Sequence, residues 1–346
     1  MATIRDVAKA AGVSIASVSA VLNKSGRVGP EATERIWAAV EAVGYSPNPI
    51  ARSLRRGHSA LVGMIVGDIT NPFSAELVRV VEHRVRSKGF SVIVGNLDSD
   101  ASRLPVLAEQ MRNQMVAGIL VAPTGHGPEV AEVLAAQPSP PVVTYDQRVP
   151  GLDCDFVGVD NREAMRLLVD YLARMGHRRI GLVSGDGGNW TSDERMAGFL
   201  NAIDGAGLEA DPALCVRASY HGRASYDAAL TLMTRADRPT AVVGANNVIS
   251  LCVLQACLDL GFRCPQDVSI VGVDDVPWSG LVRPNLTIAA QPLNEIAERA
   301  IDWLIERVEN PDAAIPPREH IVMPTLRIGE SCQPLLRDTS QGSAVA

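Results

Sequence analysis

Residues 3–23 read TIRDVAKAAGVSIASVSAVLN, and this stretch predicts two short helices joined by a tight turn. Thr3 and Asp6 have the spacing of a capping box, in which each side chain bonds to the backbone amide of the other residue. Gly12 can adopt the left-handed conformation that ends a helix, and Ser14 can cap a second helix. Two short helices joined in this way are typical of a helix-turn-helix.

A third helix and a basic linker follow this pair. Pro30 suits the first turn of a helix, which Gly44 would end. The linker, residues 45–59, reads YSPNPIARSLRRGHS. It contains a possible helix over Ile50–Arg56, which is too short to be stable alone in water. We therefore expect this segment to be ordered only when something supports it.

From residue 60 onward, short apolar runs alternate with amphipathic segments. The runs lie at 60–67, 90–95, 118–122, 141–145, 179–185, 240–245 and 268–274, and helices fit near 74–88, 101–114, 161–175, 192–205, 223–235, 246–260 and 293–308. Strands that alternate with helices form parallel sheets covered on both faces, and a segment of this length suits two such lobes. The predicted fold is an all-α head followed by an α/β domain of two doubly wound parallel sheets. The expected divisions are 1–46 for the helix-turn-helix, 47–59 for the hinge helix and linker, 60–335 for the two-lobed domain and 336–346 for a disordered tail.

The charge is distributed unevenly along the chain. The 346 residues carry a net charge of −7, yet residues 1–59 hold eight Lys or Arg against four Asp or Glu. The rest of the chain has eleven more acidic than basic residues. A small basic head on a large acidic body suggests contact with nucleic acid at one end.

Several classes of protein are disfavoured. No apolar stretch reaches the roughly 18 residues of a membrane span, and the N-terminus lacks the apolar core of a secretory signal. The six cysteines form no Cys-x-x-Cys pair, which favours free thiols in the cytoplasm.

Catalytic and metal-binding motifs are also missing from the sequence. Trp190 occupies the third glycine position of an incomplete G-x-G-x-x-G that begins at Gly185, and no G-x-S-x-G, H-E-x-x-H or P-loop motif occurs. The histidines lack metal-ligand spacing. We therefore expect no enzyme activity, no cofactor and no metal site.

The sequence resembles the lactose-repressor (LacI) family of bacterial transcription regulators over nearly its whole length. The resemblance rests on residues 3–23 and the linker 45–59, and further on NPFSAELV at 71–78, VGVDDVPWSGLVRPNLTIAAQP at 271–292 and TLRIGES at 325–331. Purine-responsive members of the family are similar throughout. The resemblance implies a homodimeric repressor that binds near-palindromic operator DNA and a small-molecule effector. It also implies that the two-lobed domain is of the periplasmic-binding-protein-like type.

The resemblance assigns DNA contacts to the head and the linker. In a helix-turn-helix, the N-terminal side chains of the second helix face base edges, and short hydroxyls reach phosphates. The expected DNA-binding residues are Thr3, Ser14, Ile15, Ala16, Ser17, Ser19, Ala20, Asn23 and Tyr45 in the head, with Ile50, Ala51, Arg52, Leu54 and Arg55 in the hinge. Many members carry a long polar residue in place of Ala20, and neither Ile15 nor Ala16 can form a bidentate hydrogen bond to a base. Leu54 would be the side chain that wedges into a base step from the minor groove.

The resemblance also assigns an effector site between the lobes. Its expected residues are Asn71, Phe73, Ser74, Asp146, Trp190, Thr191, Arg195, Tyr220, Asn247, Asp274 and Gln291. Acids, amides and one arginine beside aromatic faces suit a sugar, a polyol or a sugar acid. Purine-responsive members hold a flat base between two aromatic rings, whereas this chain has Ser74 in place of the second ring.

Three alternatives remain open at this stage. The two-lobed domain alone would fit a sugar-binding protein of a transport system, but that function does not explain residues 1–59. An enzyme could use the carboxylates between the lobes. A purine-responsive regulator would share the whole architecture.

Overall fold

A computed structural model describes residues 2–22, 26, 28–45, 59–125, 127–137, 139–220, 222–276, 279–281 and 283–335. The chain divides into two units, Met1–Ser59 and Ala60–Ala346. The expected hinge helix and the expected C-terminal tail lie outside the described residues. No helix in the described part of the chain is long and apolar enough to cross a membrane.

The first unit contains three helices in the residues that the structure describes: α1 (Ile4–Ala11), α2 (Ile15–Leu22) and α3 (Pro30–Ala42). The predicted capping box is confirmed, because the Thr3 amide donates to Asp6 Oδ2 at 2.8 Å and the Asp6 amide donates back to Thr3 Oγ1 at 3.4 Å.

The helix ends of this unit follow the residues that were predicted to set them. Gly12 has φ +67°, and Ser14 Oγ accepts the Ser17 amide at 3.0 Å. The third helix ends at Ala42, two residues before the predicted Gly44. Apolar side chains from all three helices meet in one core around Val7, Val18 and Ile36. The helix-turn-helix prediction is therefore confirmed.

The second unit contains two lobes, each built on a six-stranded sheet. The first lobe holds β1 (Leu61–Val66), α4 (Pro72–Ser87), β2 (Ser91–Asn96), α5 (Leu104–Asn113), β3 (Gly118–Val121), α6 (Pro128–Ala135), β4 (Val142–Tyr145), β5 (Asp155–Val159), α11 (Leu293–Glu309) and β11 (Glu319–Val322). Its strand order is β11-β5-β4-β3-β1-β2, and the paired strands run parallel. The strands are nearly continuous apolar runs because helices cover both faces of the sheet.

The second lobe repeats this arrangement. It holds α7 (Asn161–Arg174), β6 (Ile180–Ser184), α8 (Trp190–Gly205), β7 (Cys215–Arg217), α9 (Gly222–Met233), β8 (Ala241–Gly244), α10 (Asn247–Asp259), β9 (Ser269–Val273), β10 (Thr287–Ala290) and β12 (Thr325–Arg327). Its strand order is β12-β10-β9-β8-β6-β7, in which only β12 runs antiparallel to its neighbour. The predicted fold class is confirmed.

The chain passes between the lobes at three places. It crosses after β5, after β10, and between β11 and β12. The last helix, α11, therefore returns to the first lobe, where Ile301 and Leu304 are fully buried against its sheet.

The sequence prediction of seven strands was incomplete. All seven predicted runs form strands, but β5, β7, β10, β11 and β12 were missed, as was α6. The missed β7 and β12 have three residues each, and β11 is a partly exposed edge strand that begins with two polar residues. Short or edge strands give a weak apolar signal because neighbouring strands and helices do not cover them fully.

A buried carboxylate anchors the returning segment to the first lobe. Asp155 begins β5 and is fully buried, and both of its oxygens accept from Arg307 at 2.7 Å. The amide of Arg318 donates to Asp155 Oδ1 at 2.8 Å, and its guanidinium donates to Oδ2 at 3.0 Å. Burial alone would raise the pKa of Asp155, but these hydrogen bonds outweigh it and lower the pKa below its ordinary value.

We predict that Asp155→Ala destabilises the protein by about 3 kcal/mol, because two largely buried guanidinium groups lose the carboxylate that they share. Urea unfolding of the ligand-free chain at neutral pH measures the change. Asp153→Ala, which removes an exposed carboxylate two residues away, is the matched control and should change the free energy of unfolding by less than about 0.5 kcal/mol. Equal stability of the two variants would contradict the anchoring role.

Candidate ligand-binding cleft and nucleic-acid interface

The carboxyl ends of the parallel strands in the two lobes face a shared cleft. A cavity of about 310 Å³ lies there, lined by residues that follow β1, β4, β6, β8 and β9 and by the starts of α4 and α8. Ligands of open α/β sheets bind at this end of the strands. The cleft is therefore the candidate ligand site.

Most of the predicted effector residues lie together in this cleft. Those that line the cavity are Asn71, Phe73, Ser74, Asp146, Thr191, Arg195, Tyr220, Asp274 and Gln291. They come from six separate parts of the chain, and the fold brings them within one cavity. Their role in ligand binding stays a prediction.

Trp190 and Asn247 do not line this cavity. The Trp190 ring packs edge-on against Phe156 of the first lobe, with ring centroids 5.4 Å apart. Asn247 Nδ2 donates to Asn71 Oδ1 across the cleft at 3.0 Å, and Asn247 lines a smaller adjoining cavity of about 70 Å³. Both residues join the two lobes.

Sequence reasoning missed several polar residues of the cavity. These are Asp68, Ser99, Thr124, Gln147, Asp186, Asn189, Ser219 and Asn246. Most of them stand one to three residues beyond a strand, so their position after an apolar run was the available signal. Gln147 also joins the lobes, because its Oε1 accepts the Thr191 amide at 3.4 Å.

Arg195 is the cation at the centre of the cleft. It is the only Lys or Arg among the described residues that line the cavity, and it is 2% exposed. Its Nη1 donates to the Ala245 carbonyl at 2.6 Å and lies 3.9 Å from Asp274 Oδ2, and its Nε donates to Asn161 Oδ1 at 2.8 Å. These bonds fix the plane of the guanidinium, which can then present hydrogen-bond donors in a set direction.

Strained backbone is concentrated at the rim and walls of the cleft. Asp98, Ser99, Asp146 and Asp274 have φ values of +57°, +58°, +57° and +71°. Residues other than glycine seldom adopt this left-handed conformation, and such strain tends to persist at functional sites. Two of these residues, Asp146 and Asp274, carry carboxyl groups whose pKa values respond to the charge of Arg195.

Burial disfavours the charged forms of the acids in the cleft. It raises the pKa of Asp146 to about 6, and the nearby charge of Asp274 adds to the effect while Arg195 opposes it. Burial likewise raises the pKa of Asp274, against the opposing effects of Arg195 and of the hydrogen bond from Gln291 Nε2 at 2.6 Å. Burial also raises the pKa of the Tyr220 hydroxyl, which is hydrogen-bonded to Ser192 Oγ.

The cleft can bind a ligand through many hydrogen bonds. No His or Cys is among the described residues that line it, and no group of three His, Cys, Asp or Glu in the described part of the chain could hold a metal ion. Carboxylates, amides, hydroxyls and one guanidinium face a cavity with the ring of Phe73 in its wall. This combination suits a compact polyhydroxylated molecule.

In the first unit, the predicted DNA contacts are partly exposed. Ser14, Ile15 and Ala16 are exposed at the start of α2, as is Thr3 before α1, while Ser17, Ser19, Ala20 and Tyr45 are half-buried. Ser14 and Ser17 hydroxyls bond to each other at 2.9 Å, and Tyr45 packs against the core of the unit. Asn23, Ile50, Ala51, Arg52, Leu54 and Arg55 lie outside the described residues. The exposed start of α2 is the candidate nucleic-acid interface.

Comparison with known proteins gives matches along nearly the whole chain. Residues 3–48 match the family described as bacterial regulatory proteins, lacI family, and residues 169–332 match the periplasmic binding protein-like domain. The chain is 32% identical over 311 residues to the ribose operon repressor of Escherichia coli strain K12, covering 90% of this chain and 94% of that protein. It is 32% identical over 313 residues to the HTH-type transcriptional repressor PurR of Mannheimia succiniciproducens, with the same coverage of both chains.

A solved structure shows the same fold. The lac repressor dimer bound to operator and the anti-inducer ONPF matches with a TM-score of 0.84 at 22% identity. The match covers 96% of this chain and 99% of that chain.

We predict that Asp146→Asn stabilises the ligand-free protein at pH 7 by up to about 2 kcal/mol. The raised pKa of Asp146 means that the folded state resists ionisation. The stability that this carboxyl contributes is therefore full only below its ordinary pKa of 3.8, where it is protonated in both states, and is lost as the pH rises to about 6. Thermal unfolding at several pH values measures the effect.

The matched control for this prediction is Asp186→Asn, because Asp186 lines the same cavity but is exposed. This control should keep the loss of stability between pH 4 and 6 that the unaltered protein shows. The same pH profile in both variants would contradict the assignment to Asp146.

Proposed function

The chain belongs to the lacI family of bacterial regulatory proteins, and from that premise we propose that it represses transcription of a carbohydrate-catabolic operon in response to a small ligand. The observation that carries this proposal is the polar cleft around Arg195 on a chain that also has a helix-turn-helix. A sugar-binding transport protein would use the cleft but has no use for the DNA-binding head. The relatives are repressors, and we infer that the cleft binds its ligand without transforming it.

The proposal assigns DNA reading to residues 1–46. The first turn of α2 presents Ile15 and Ala16, which can contact thymine methyl groups but cannot donate or accept hydrogen bonds through their side chains. Hydroxyls such as that of Ser14 are placed to bond phosphates. Recognition by this head would therefore depend on methyl contacts and on the shape of the DNA.

The proposal assigns DNA bending to the hinge, residues 47–59. Leu54 would insert into a base step from the minor groove, and Arg52 and Arg55 would neutralise phosphates. A near-palindromic operator needs two such segments, so we propose a homodimer in which residues 60–335 bind effector and pair the subunits. An operator-bound dimer of the same fold supports this assembly. We place the protein in the cytoplasm, where its DNA is.

For the effector we propose a sugar, a polyol or a sugar acid. The ribose operon repressor and PurR are equally similar in identity, so the comparison alone does not choose between a carbohydrate and a purine. The cleft favours the carbohydrate, because Ser74 follows Phe73 where purine-responsive members have an aromatic ring. The opposing carboxylates and amides suit hydroxyl groups.

The first test separates the DNA-binding and ligand-binding roles. We predict that a fragment comprising residues 60–346 keeps its fold and ligand response but does not retard DNA fragments that the full chain selects from its genome. The full chain should lose DNA affinity with salt by a log–log slope of about −0.9 per phosphate contacted. Gel retardation at several salt concentrations measures both. Retardation by the fragment would contradict the assignment to residues 1–59.

The second test identifies the class of effector. We predict that a thermal-shift screen gives a response to a sugar, polyol or sugar acid, since ligand at 100 times its Kd stabilises by about 2.7 kcal/mol. Arg195→Ala should make the free energy of binding that ligand less favourable by about 1.5–3 kcal/mol, which is the contribution of a hydrogen bond to a charged group. Arg223→Ala removes an exposed guanidinium of the same lobe and should leave the response unchanged. A response to hypoxanthine or guanine and to no carbohydrate would establish the purine alternative.

A further inference from the structure

Asn161 stands where the chain first crosses from one lobe to the other. It is the first residue of α7, is separated from the end of β5 by Asp160 alone, and is 3% exposed. The preceding Asp160 caps α7 by accepting the Glu163 amide at 2.8 Å, and its own amide donates to Val322 of β11 at 2.9 Å. The backbone around Asn161 is therefore held by both lobes.

The side chain of Asn161 uses both of its polar atoms. Its Oδ1 accepts from Arg195 Nε at 2.8 Å, and its Nδ2 donates to the carbonyl of Val159, the last residue of β5, at 3.4 Å. Arg195 makes its other bonds to Ala245 and Asp274, which both belong to the second lobe. The side-chain amide of Asn161 thus connects the guanidinium of Arg195 to the crossover through hydrogen bonds.

The helix that carries Arg195 is pressed against the same crossover. A Cβ on Gly198 would lie 2.6 Å from the Arg162 Cα, so only glycine permits this approach of α8. Glu194 lies one turn before Gly198 on the same helix, and it accepts two hydrogen bonds from the guanidinium of Arg162, at 2.6 and 3.0 Å. The helix that carries Arg195 is therefore packed directly against the segment between the lobes.

The choice of a neutral amide matters for the charge of the cleft. The neutral oxygen of asparagine accepts a hydrogen bond from Nε–H and leaves the positive charge of the guanidinium uncompensated. That charge remains available to Asp274, to Asp146 and to a bound ligand. Without an acceptor, the buried Nε–H would be left unsatisfied, which is more costly than the loss of a solvated hydrogen bond.

We propose that Asn161 is a positioning residue that holds Arg195 for the effector and makes the crossover between the lobes respond to occupation of the cleft. This inference rests on the proposed function, since it takes the cleft around Arg195 as the effector site. The proposal predicts two separable effects. The bond from Arg195 to Asn161 Oδ1 should affect ligand affinity, and the bond from Asn161 Nδ2 to Val159 should affect the stability of the crossover.

The first experiment needs no ligand. Hydrogen–deuterium exchange of the full chain is measured on peptides that span residues 156–165, in Asn161→Ala, Arg195→Ala and the double variant. Each single variant should speed exchange of the crossover by about tenfold, the equivalent of one hydrogen bond to a charged group, and the double variant should be no faster than Asn161→Ala. Asn201→Ala, an exposed position on the same helix as Arg195, is the matched control and should not change the exchange.

A purely structural role for Asn161 makes a different prediction. If its side chain only supported Val159, removal of Arg195 would leave the crossover protected. Unchanged exchange in Arg195→Ala, or equal exchange in Asn161→Ala and Asn201→Ala, would overturn the proposal.

The second experiment uses D-ribose as the probe, because a ribose operon repressor is among the relatives. Asn161→Ala should weaken the binding of D-ribose by about tenfold. Asn161→Asp keeps an oxygen facing Arg195 Nε but pairs with the guanidinium charge, so it should bind D-ribose more tightly than Asn161→Ala and more weakly than the unaltered chain, while its crossover still exchanges fast. Affinity in Asn161→Ala equal to that of the unaltered chain would overturn the proposal. Lack of any D-ribose response in the unaltered chain would count against ribose as the effector, and hydrogen exchange would then decide the role of Asn161.

Discussion

The buried guanidinium of Arg195 is the interaction on which the cleft depends. A cation removed from water is tolerated only where hydrogen bonds and opposite charge replace its hydration. The Ala245 carbonyl, the Asp274 carboxylate and the Asn161 amide supply that replacement from three separate parts of the chain. The same charge limits how far burial can raise the pKa values of Asp146 and Asp274. One side chain therefore moderates the pKa values of the cleft acids and also bonds to the elements that surround the cleft.

The two lobes are joined across the cleft by a few weak contacts. Thr191 Oγ1 donates to the Asp146 carbonyl at 2.8 Å, Asn247 bonds to Asn71, and Trp190 packs on Phe156. A neutral hydrogen bond contributes about 1 kcal/mol, and an aromatic pair about the same. Such contacts can hold one arrangement of the lobes without fixing it. A ligand that binds one arrangement better by a few kcal/mol is then enough to shift the population.

The parts of the structure that obey local rules were predictable from the sequence. The capping box at Thr3 and the strands that helices cover on both faces depend on neighbouring residues or on one apolar run. The resemblance to the family located most of the cleft, whose residues lie where parallel strands direct the following residues to one edge of the sheet. The position of Trp190 at a helix start does not reveal that its ring packs on Phe156 and lies outside the cavity lining. Asn161 was missed because its partner lies 34 residues away, and an asparagine at a helix start is indistinguishable from an ordinary helix-start residue.

The three crossings between the lobes have a consequence for how such a protein can be rearranged in evolution. Neither lobe is a continuous segment, since α11 and β11 complete the first sheet only after the second lobe has been built. A gene cut after Val159 would yield an incomplete first lobe. Asp155 would lose its hydrogen bonds from Arg307 and Arg318, and Gly118 would lose the side chain of Leu304 that packs against it. Recombination that exchanges contiguous segments therefore cannot trade one lobe for another. The DNA-reading head, which forms its core from residues before the linker, can be exchanged as a whole.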